Sequence, residues 1–238
     1  IAIDADYEYF LHYGSVTAVQ NQINSVINAM NVEYERDVLI RHVITTIIVR
    51  TTAADPYTFT DPQFLLPQFR NHWNNYQSAV HRDMAQLFTG KQLDGSVIGI
   101  AYVGEVCTSL AYSLVQSDFT GSDLAYQTDL SARELGHNWG ADHCTCDNPS
   151  YTMNPWITGA NRFHPILSIP SMAAYRNTRT CLDAGDELLR ITVSAPSTTF
   201  EIGQAAQLTA TADFRYGADQ NVTSDTTWTV DRPELALV

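Results

Sequence analysis

Apolar residues recur at helical spacing in several parts of the chain. Between residues 15 and 36 they return every three or four positions, at Val16, Val19, Ile23, Val26, Ile27 and Met30, which is the period of an amphipathic helix. Asp61-Pro62 supplies a helix start, and Gly140 supplies a helix stop. The predicted helices lie at residues 15–36, 63–77, 124–139 and 170–177.

Other apolar runs are rich in β-branched residues and bounded by turn residues, which predicts strands. These strands lie at residues 1–6, 38–50, 83–88, 96–103 and 112–116. Because predicted strands alternate with predicted helices through residue 185, the sequence favours an α/β domain over residues 1–185.

The composition changes near residue 187, where Thr, Ala, Val and Ser become dominant. The strand-like runs at residues 189–194, 207–214 and 226–230 resemble the start of a bacterial immunoglobulin-like module. Only about 50 residues remain, whereas a seven-strand sandwich takes about 100. We therefore predict a partial all-β immunoglobulin-like domain at residues 187–238; either the natural protein continues past Val238 or the tail is an incomplete fold.

The charge balance excludes one large class of partners. Thirteen Lys and Arg residues stand against 26 Asp and Glu, a formal net charge of −13. Such a surface repels phosphate, so we expect no nucleic-acid binding. No apolar run approaches the roughly 18 residues of a membrane helix, so we expect no membrane span.

The cysteines and the amino terminus bear on the compartment. An even count of four cysteines fits two disulfides in an oxidising compartment, or equally a metal site in a reducing one. The chain opens without a signal peptide, directly on an apolar and acidic segment, as a processed mature protein would. We therefore expect a secreted, extracellular protein.

The segment from Arg133 to His143 carries the candidate chemistry. Positions 133 and 137 are one helical turn apart and share a face, with Glu134 beside them. Gly140 can adopt a positive φ, which ends the helix and lets His143 point back at the same spot. Two side chains from a helix and one from the returning chain make a three-ligand corner. A metal held there keeps a fourth position open for water, and the neighbouring glutamate can act as its base.

This segment resembles the signature H-E-x-x-H-x-x-G-x-x-H of the metzincin zinc endopeptidases. Glu134, His137, Gly140 and His143 match, and Met153 is a candidate for the family's Met-turn. The opening residues 1–9, the segment 98–103 and the placement of two cysteines indicate the adamalysin (reprolysin) type, in a bacterial branch, over residues 1–185. Those cysteines are Cys107 and Cys181.

The resemblance implies a mixed, mostly parallel twisted sheet, an active-site helix and a Met-turn subdomain. It implies a zinc cofactor, protein or peptide substrates and a monomer.

In the family mechanism Glu134 takes a proton from zinc-bound water and passes it to the leaving amine. An extended substrate adds to an edge strand, and the loop after the Met-turn shapes the pocket beyond the scissile bond. The corresponding cleft residues are Ile98, Gly99, Ile100, Ala101, Trp156 and Ile157. The resemblance also implies a disulfide between Cys107 and Cys181, with Cys144 and Cys146 unassigned.

Position 133 departs from the family, which has histidine where this chain has arginine. A guanidinium has no acceptor lone pair and stays protonated, so Arg133 cannot ligate zinc. With His137 and His143 alone, we expect zinc binding to be weakened or lost and hydrolysis to be slight or absent. Arg133 could pair with Glu134 or Asp142, or a Cys144 thiolate could complete the site. One base change converts a histidine codon to an arginine codon, so the chain is a natural pseudoprotease, an engineered inactive variant or the carrier of a chance mutation.

Other readings stay open. The chain could be a non-catalytic pseudoprotease that binds peptides in the cleft, with Arg133 grasping a substrate carboxylate and the immunoglobulin-like tail as a tether. Alternatively, the carboxy-terminal segment has the function and the amino-terminal domain is a spacer.

Asp4 and Asp6 could contribute to a calcium site; the alternative is that they are solvated acids in a turn. The remaining histidines, His12, His42, His72, His81 and His164, read as surface or loop residues.

Overall fold

The structure is a computed structural model that describes residues 1–116, 123–146, 148–182, 188–197, 199, 201, 203–214 and 219–229. The chain divides into two compact units, Ile1–Leu182 and Asp183–Val238. No helix within these described ranges is long and apolar enough to cross a membrane.

The first unit is built on a five-stranded sheet with the strand order β2-β1-β3-β5-β4. The pairs β1–β2, β1–β3 and β3–β5 are parallel, and only β4 runs antiparallel, against β5. This confirms the expected mixed, mostly parallel sheet. The strands are β1 (Ala2–Ala5), β2 (Thr46–Val49), β3 (Ala85–Thr89), β4 (Gly99–Ala101) and β5 (Tyr112–Gln116).

Helices cover both faces of this sheet, because neighbouring residues of a strand point to opposite sides. Ile3 of β1 packs in one core with α2 and α4, whereas Ala2 packs in a second core with α3. The arrangement is a three-layer α/β unit, which confirms the predicted fold class. The helices are α1 (Tyr7–Tyr13), α2 (Val16–Val38), α3 (Pro62–Tyr76), α4 (Leu124–Asn138) and α5 (Ser168–Arg176).

Two parts of the amino-terminal half differ from the prediction. The strand expected at residues 38–50 is confined to β2, because its partner β1 has only four residues to pair with. Residue Leu39 ends α2 in a left-handed conformation with φ 53°, and the chain then runs irregularly to Thr45. Helix α1 was not predicted; the Asp6 side chain starts it by accepting a hydrogen bond from the Tyr9 amide.

Three residues expected near the surface are buried. Asp4 accepts hydrogen bonds from Arg50, Tyr57 and Trp73, and Asp6 accepts them from Thr89 and backbone amides. Their oxygens therefore serve protein donors, so neither acid is a solvated turn residue, and the structure lends a calcium site no support. His42 is also buried, where it accepts a hydrogen bond from Nε1 of Trp139 over 3.0 Å.

The second unit contains a three-stranded antiparallel sheet with the order β6-β7-β8 and a short 3₁₀ helix, Thr223–Asp225. Its strands are β6 (Leu188–Ser194), β7 (Thr209–Phe214) and β8 (Gln220–Asn221). The strand predicted at residues 226–230 is wrong over 226–229, which are irregular and follow the 3₁₀ helix, with the Thr226 hydroxyl bonded to the Val222 carbonyl. Val230 lies outside the described residues. The immunoglobulin-like assignment and the boundary near residue 187 stay predictions.

Candidate active site

Helix α4 carries three of the candidate residues. The carboxylate of Asp123 starts the helix by accepting a hydrogen bond from the Ala125 amide, and the helix is buried from Gln127 to Asn138. Gly140 follows with φ 84°, a left-handed conformation that reverses the chain. The Gly140 amide donates to the His137 carbonyl over 2.8 Å. His143 therefore returns to the helix face, as the spacing predicts.

The two histidines of the motif meet at one point. Nε2 of His137 lies 3.0 Å from Nε2 of His143. Nδ1 of His137 lies 2.8 Å from the Ala141 carbonyl, to which it can only donate. This contact leaves the lone pair of His137 on Nε2, which is the tautomer that coordination of a metal through Nε2 requires.

The guanidinium of Arg133 occupies the third corner. Its Nη2 lies 2.6 Å from Nε2 of His143, and its Nη1 forms a salt bridge with Oε1 of Glu134. Nε donates to the Asn154 carbonyl over 3.0 Å, and Nη2 lies 3.4 Å from the Pro155 carbonyl. The arginine thus contacts four residues. Of the two acids predicted as its partner, Glu134 and Asp142, it pairs with Glu134.

Glu134 is buried between α4 and the edge strand. A Cβ atom added at Gly99 would lie 2.8 Å from Cγ of Glu134, so only glycine leaves room for this side chain. Burial raises the pKa of Glu134 to about 7, although the positive charge of Arg133 and its hydrogen bond act in the opposite direction. A carboxyl with this pKa can both take and return a proton near neutral pH.

Both imidazoles are held in their neutral form. Burial, followed by the charge of Arg133, lowers the pKa of His137 to about 4. The same two causes, in the same order, lower the pKa of His143. Neutral imidazoles are the form that ligates a metal. Here, however, the lone pair of His143 faces a guanidinium donor.

Met153 lies beneath the motif. It is fully buried, and a Cβ atom added at Gly136 would lie 2.6 Å from its sulfur. Its carbonyl accepts a hydrogen bond from the Cys144 amide over 2.8 Å. This contact connects the segment around Met153 to the residue that follows His143.

The predicted cleft residues flank α4. Gly99, Ile100 and Ala101 form β4, at the edge of the sheet, and Ile98 immediately precedes it. Trp156 is 53% exposed, and Ile157 is half-buried and packs against the core.

Asn138, which was not predicted from the sequence, joins α4 to the end of β4 and the start of β5. Nδ2 of Asn138 donates to the carbonyls of Tyr102 and Tyr112 over 2.8 and 3.1 Å. The carbonyl of His137 accepts from the Gly104 amide over 2.8 Å. Asn138 directly follows a motif histidine at the end of a predicted helix, and that position was the only signal in the sequence.

Both cysteine pairs are disulfide-bonded, Cys107 with Cys181 and Cys144 with Cys146. The first pairing is the one implied by the resemblance. Because Cys144 is bonded to Cys146, it has no free thiolate and cannot act as a metal ligand while this disulfide is intact. Within the described ranges, the one cluster of three His, Cys, Asp or Glu ligand atoms is Asp83 with Cys107 and Cys181, whose sulfurs are already bonded to each other.

The donor set therefore does not fit a three-ligand zinc site. Two imidazole nitrogens converge, but the third position holds a cation without a lone pair. In the described part of the chain, no other His, Cys, Asp or Glu brings a ligand atom within 4.8 Å of both imidazoles. Two protein ligands are fewer than the three that catalytic zinc sites use.

Comparisons with known proteins agree on one family. A sequence model described as metallo-peptidase family M12, of the reprolysin kind, matches residues 1–169. A relative named zinc metalloproteinase recombinant fibrinogenase II, from Deinagkistrodon acutus, is 29% identical over 150 residues, which cover 61% of this chain and 64% of that protein. The snake venom metalloproteinase atroxlysin-1 of Bothrops atrox is 29% identical over 169 residues, which cover 66% of this chain and 79% of that protein.

One solved structure is similar to this chain in fold alone. It is titled "Structure of a chaperone-substrate complex" and superposes with a TM-score of 0.53 at 14% identity. The match covers 73% of this chain and 32% of that one.

Proposed function

The chain belongs to metallopeptidase family M12 as a reprolysin-like metzincin, and we propose that it is an endopeptidase scaffold that binds extended peptides without hydrolysing them. The family implies zinc dependence and protein or peptide substrates. The chain departs from that implication at position 133, where Arg133 stands in place of the first histidine ligand, whereas Glu134, His137 and His143 match the family motif.

One observation carries the proposal, which is the contact between the Arg133 guanidinium and Nε2 of His143 over 2.6 Å. A zinc ion held by three ligands would polarise the scissile carbonyl and lower the pKa of its bound water, whereas a buried guanidinium does not activate water in this way. Glu134, which would act as the base, is instead engaged by Arg133 in a salt bridge. The hydrolytic step is therefore the one that this chain loses.

The peptide-binding half of the cleft has the features needed to work without a metal. Strand β4 pairs with β5 on one side and is one of the two outer strands of the sheet. An outer strand offers backbone amides and carbonyls to an extended peptide. Asn138 holds this edge against α4 by its bonds to Tyr102 and Tyr112. We propose that a substrate peptide adds to β4 and that its side chains contact Trp156 and Ile157.

We do not propose that Arg133 grasps a substrate carboxylate. Its Nε, Nη1 and Nη2 all contact groups of the protein: Asn154, Glu134, His143 and Pro155. A bidentate grip on a ligand would need two donors free on one edge of the guanidinium. We propose instead that Arg133 is an internal cation that preserves the site while preventing its chemistry.

We propose that Met153 forms the Met-turn, since it lies buried against Gly136 within α4. We propose that residues 1–185 are the metallopeptidase domain and residues 187–238 a partial immunoglobulin-like domain. We also propose that the protein is a monomer and that it is secreted; its two disulfides support the secretion.

The test is an assay of quenched fluorescent peptides with added zinc, beside anisotropy binding of the same peptides. The chain as written should bind peptides without cleaving them, Arg133→His should cleave them, and Arg133→His/Glu134→Gln should bind without cleavage. Cleavage by the chain as written that stops with chelator would refute the proposal. An Arg133→His variant that holds zinc but neither binds nor cleaves peptides would also refute it.

A further inference from the structure

The segment that carries Trp156 is a closed loop. Its ends meet at Thr152 and Arg162, where the Thr152 amide donates to the Arg162 carbonyl over 2.9 Å. The Arg162 amide in turn donates to Oγ1 of Thr152 over 3.1 Å. We call residues 152–162 the cleft loop. A loop closed at its neck in this way behaves as one compact piece, so groups that hold its interior set the position of its tip.

One side of the cleft loop is held by Arg133. Its guanidinium contacts the carbonyls of Asn154 and Pro155 over 3.0 and 3.4 Å. These are the two residues that immediately precede Trp156. The arginine that fills the metal corner therefore also anchors the loop.

The other side of the cleft loop is held by Asp129, a residue that no motif singles out. Its Oδ2 accepts hydrogen bonds from the amides of Thr158 and Gly159, both over 2.9 Å. Its Oδ1 lies 3.3 Å from the Asn161 amide, and the Thr158 hydroxyl also lies 3.3 Å from Oδ2. The side chain is fully buried. A single carboxylate thus contacts three backbone amides of the segment that follows Ile157.

Asp129 and Arg133 are four residues apart on α4, so they lie on one face of the helix, one turn from each other. The loop runs from one to the other, and between its two anchors it presents Trp156 and Ile157. The positions of these two side chains therefore depend on both anchors. Of the two, Asp129 bonds to the backbone that directly follows Ile157.

We propose that Asp129 is a specificity-determining positioning residue: through the cleft loop it fixes Trp156 and Ile157, and so decides which peptide side chains the cleft accepts. This inference rests on the proposed function, because it needs a peptide in the cleft. The ligand class is an extended peptide with an apolar side chain that packs against Trp156 and Ile157.

The carboxylate is specifically suited to this position. All its contacts in the loop are with donors, and an ionised carboxylate is an acceptor only, with room for about four hydrogen bonds. Asparagine keeps the shape but turns an NH₂ group towards at least one of those amides. A buried amide left without an acceptor destabilises its local conformation. Asp129→Asn should therefore loosen the loop while leaving α4 in place.

The experiment measures the affinity of the full-length chain for peptides that differ at one position, carrying alanine, leucine or phenylalanine there. Asp129→Asn should lower the ratio of leucine or phenylalanine affinity to alanine affinity about tenfold, a change of the size that pocket contacts produce. Binding of the alanine peptide should change by less than about twofold, since the β4 backbone supplies it. Trp156→Ala should give the same loss of discrimination.

Asp61→Asn is the matched control. Asp61 also bonds a backbone amide, that of Gln63 over 2.8 Å, but it lies at the start of α3. A loss of discrimination with Asp129→Asn but not with Asp61→Asn supports the inference. If the two variants have equal effects, or if Asp129→Asn has no effect on a chain that binds the peptides, this inference is overturned while the proposed function stands. If the chain with Arg133 in place binds none of the peptides, the proposed function fails and this inference falls with it.

Discussion

Nη2 of Arg133 lies 2.6 Å from Nε2 of His143, and Nη1 of the same guanidinium pairs with Glu134. One cation, supplied by the chain itself, contacts two of the three family residues that surround the metal position. The fold therefore holds this site together without an ion, at the expense of the ligand that catalysis needs.

The first prediction follows directly from this contact. Because Arg133 already engages Glu134 and His143, a chelator should leave the melting temperature of the chain unchanged. The Arg133→His variant loses that cation and gains a ligand, so its melting temperature should rise when zinc is added and fall again with chelator. Thermal unfolding of both proteins with and without chelator checks this. A chelator-induced fall for the chain as written would show that a metal is already bound.

The second prediction concerns the fit between the edge strand and the helix. A Cβ atom at position 99 would lie 2.8 Å from Cγ of Glu134, so Gly99→Ala should lower the free energy of unfolding by about 1–3 kcal/mol. Glu134→Ala removes the atoms that clash. Gly99→Ala should therefore lower the free energy of unfolding less in the Glu134→Ala background than in the unsubstituted chain. Denaturant unfolding of the four proteins measures the coupling, and equal costs in both backgrounds would contradict the contact.

The third prediction is a pH dependence set by His42. Burial, followed by the charge of the amino terminus, lowers the pKa of His42 to about 3, whereas an unfolded histidine has its pKa near 6.5. Between these pH values the unfolded chain binds more protons than the folded one, so the stability contributed by neutral His42 is lost as the pH falls through 6.5.

His42→Gln cannot take up that proton. The stability gap between the wild-type chain and His42→Gln should therefore narrow by about 3 kcal/mol between pH 7 and pH 4. Urea unfolding at the two pH values measures it. A gap that stays constant would mean that His42 is not held neutral.

The fourth prediction concerns the Cys107–Cys181 disulfide, which joins residues 74 apart in sequence. Closing a loop of this length restricts the unfolded chain, so Cys107→Ala/Cys181→Ala should lower the free energy of unfolding by about 4 kcal/mol. Cys144→Ala/Cys146→Ala is the matched control, since its bond spans only two residues and restricts the unfolded chain far less. Equal losses for both pairs would contradict the loop-closure argument.

Much of the fold was predictable from periodicity and turn chemistry. Helix α2 follows the 3.6-residue spacing of its apolar residues, and α3 begins at Pro62 after the Asp61 side chain that caps it. Strand β5 matches its predicted bounds, Tyr112–Gln116. These elements are specified by residues within or next to them, so local patterns suffice.

The structure differs from the sequence-based prediction where it depends on a contact with a residue far away in the chain. The β-branched run at residues 38–50 has strand propensity throughout, but β1 offers only four residues for pairing. His42 lies in that run, and its burial depends on Trp139, 97 residues away. Spacing alone cannot report such a partner.

In the candidate site, too, some contacts follow from the local sequence and others depend on residues far apart in the chain. The convergence of His137 and His143 follows from helix geometry and Gly140, both visible in the sequence. The carbonyls that Arg133 contacts belong to residues 21 and 22 positions further along the chain. The bonds from Asp129 to the cleft loop reach from 29 to 32 positions. No motif records these contacts, because they depend on how the loop returns to α4.

The most direct test of the central claim is the zinc content of the purified full-length chain and of Arg133→His, measured by elemental mass spectrometry after exposure to zinc. The structure predicts almost no zinc in the chain as written and about one zinc per molecule in the histidine variant, which regains a three-ligand site. About one zinc in both proteins would contradict the account, because it would mean that Arg133 leaves the corner and another group completes the metal site.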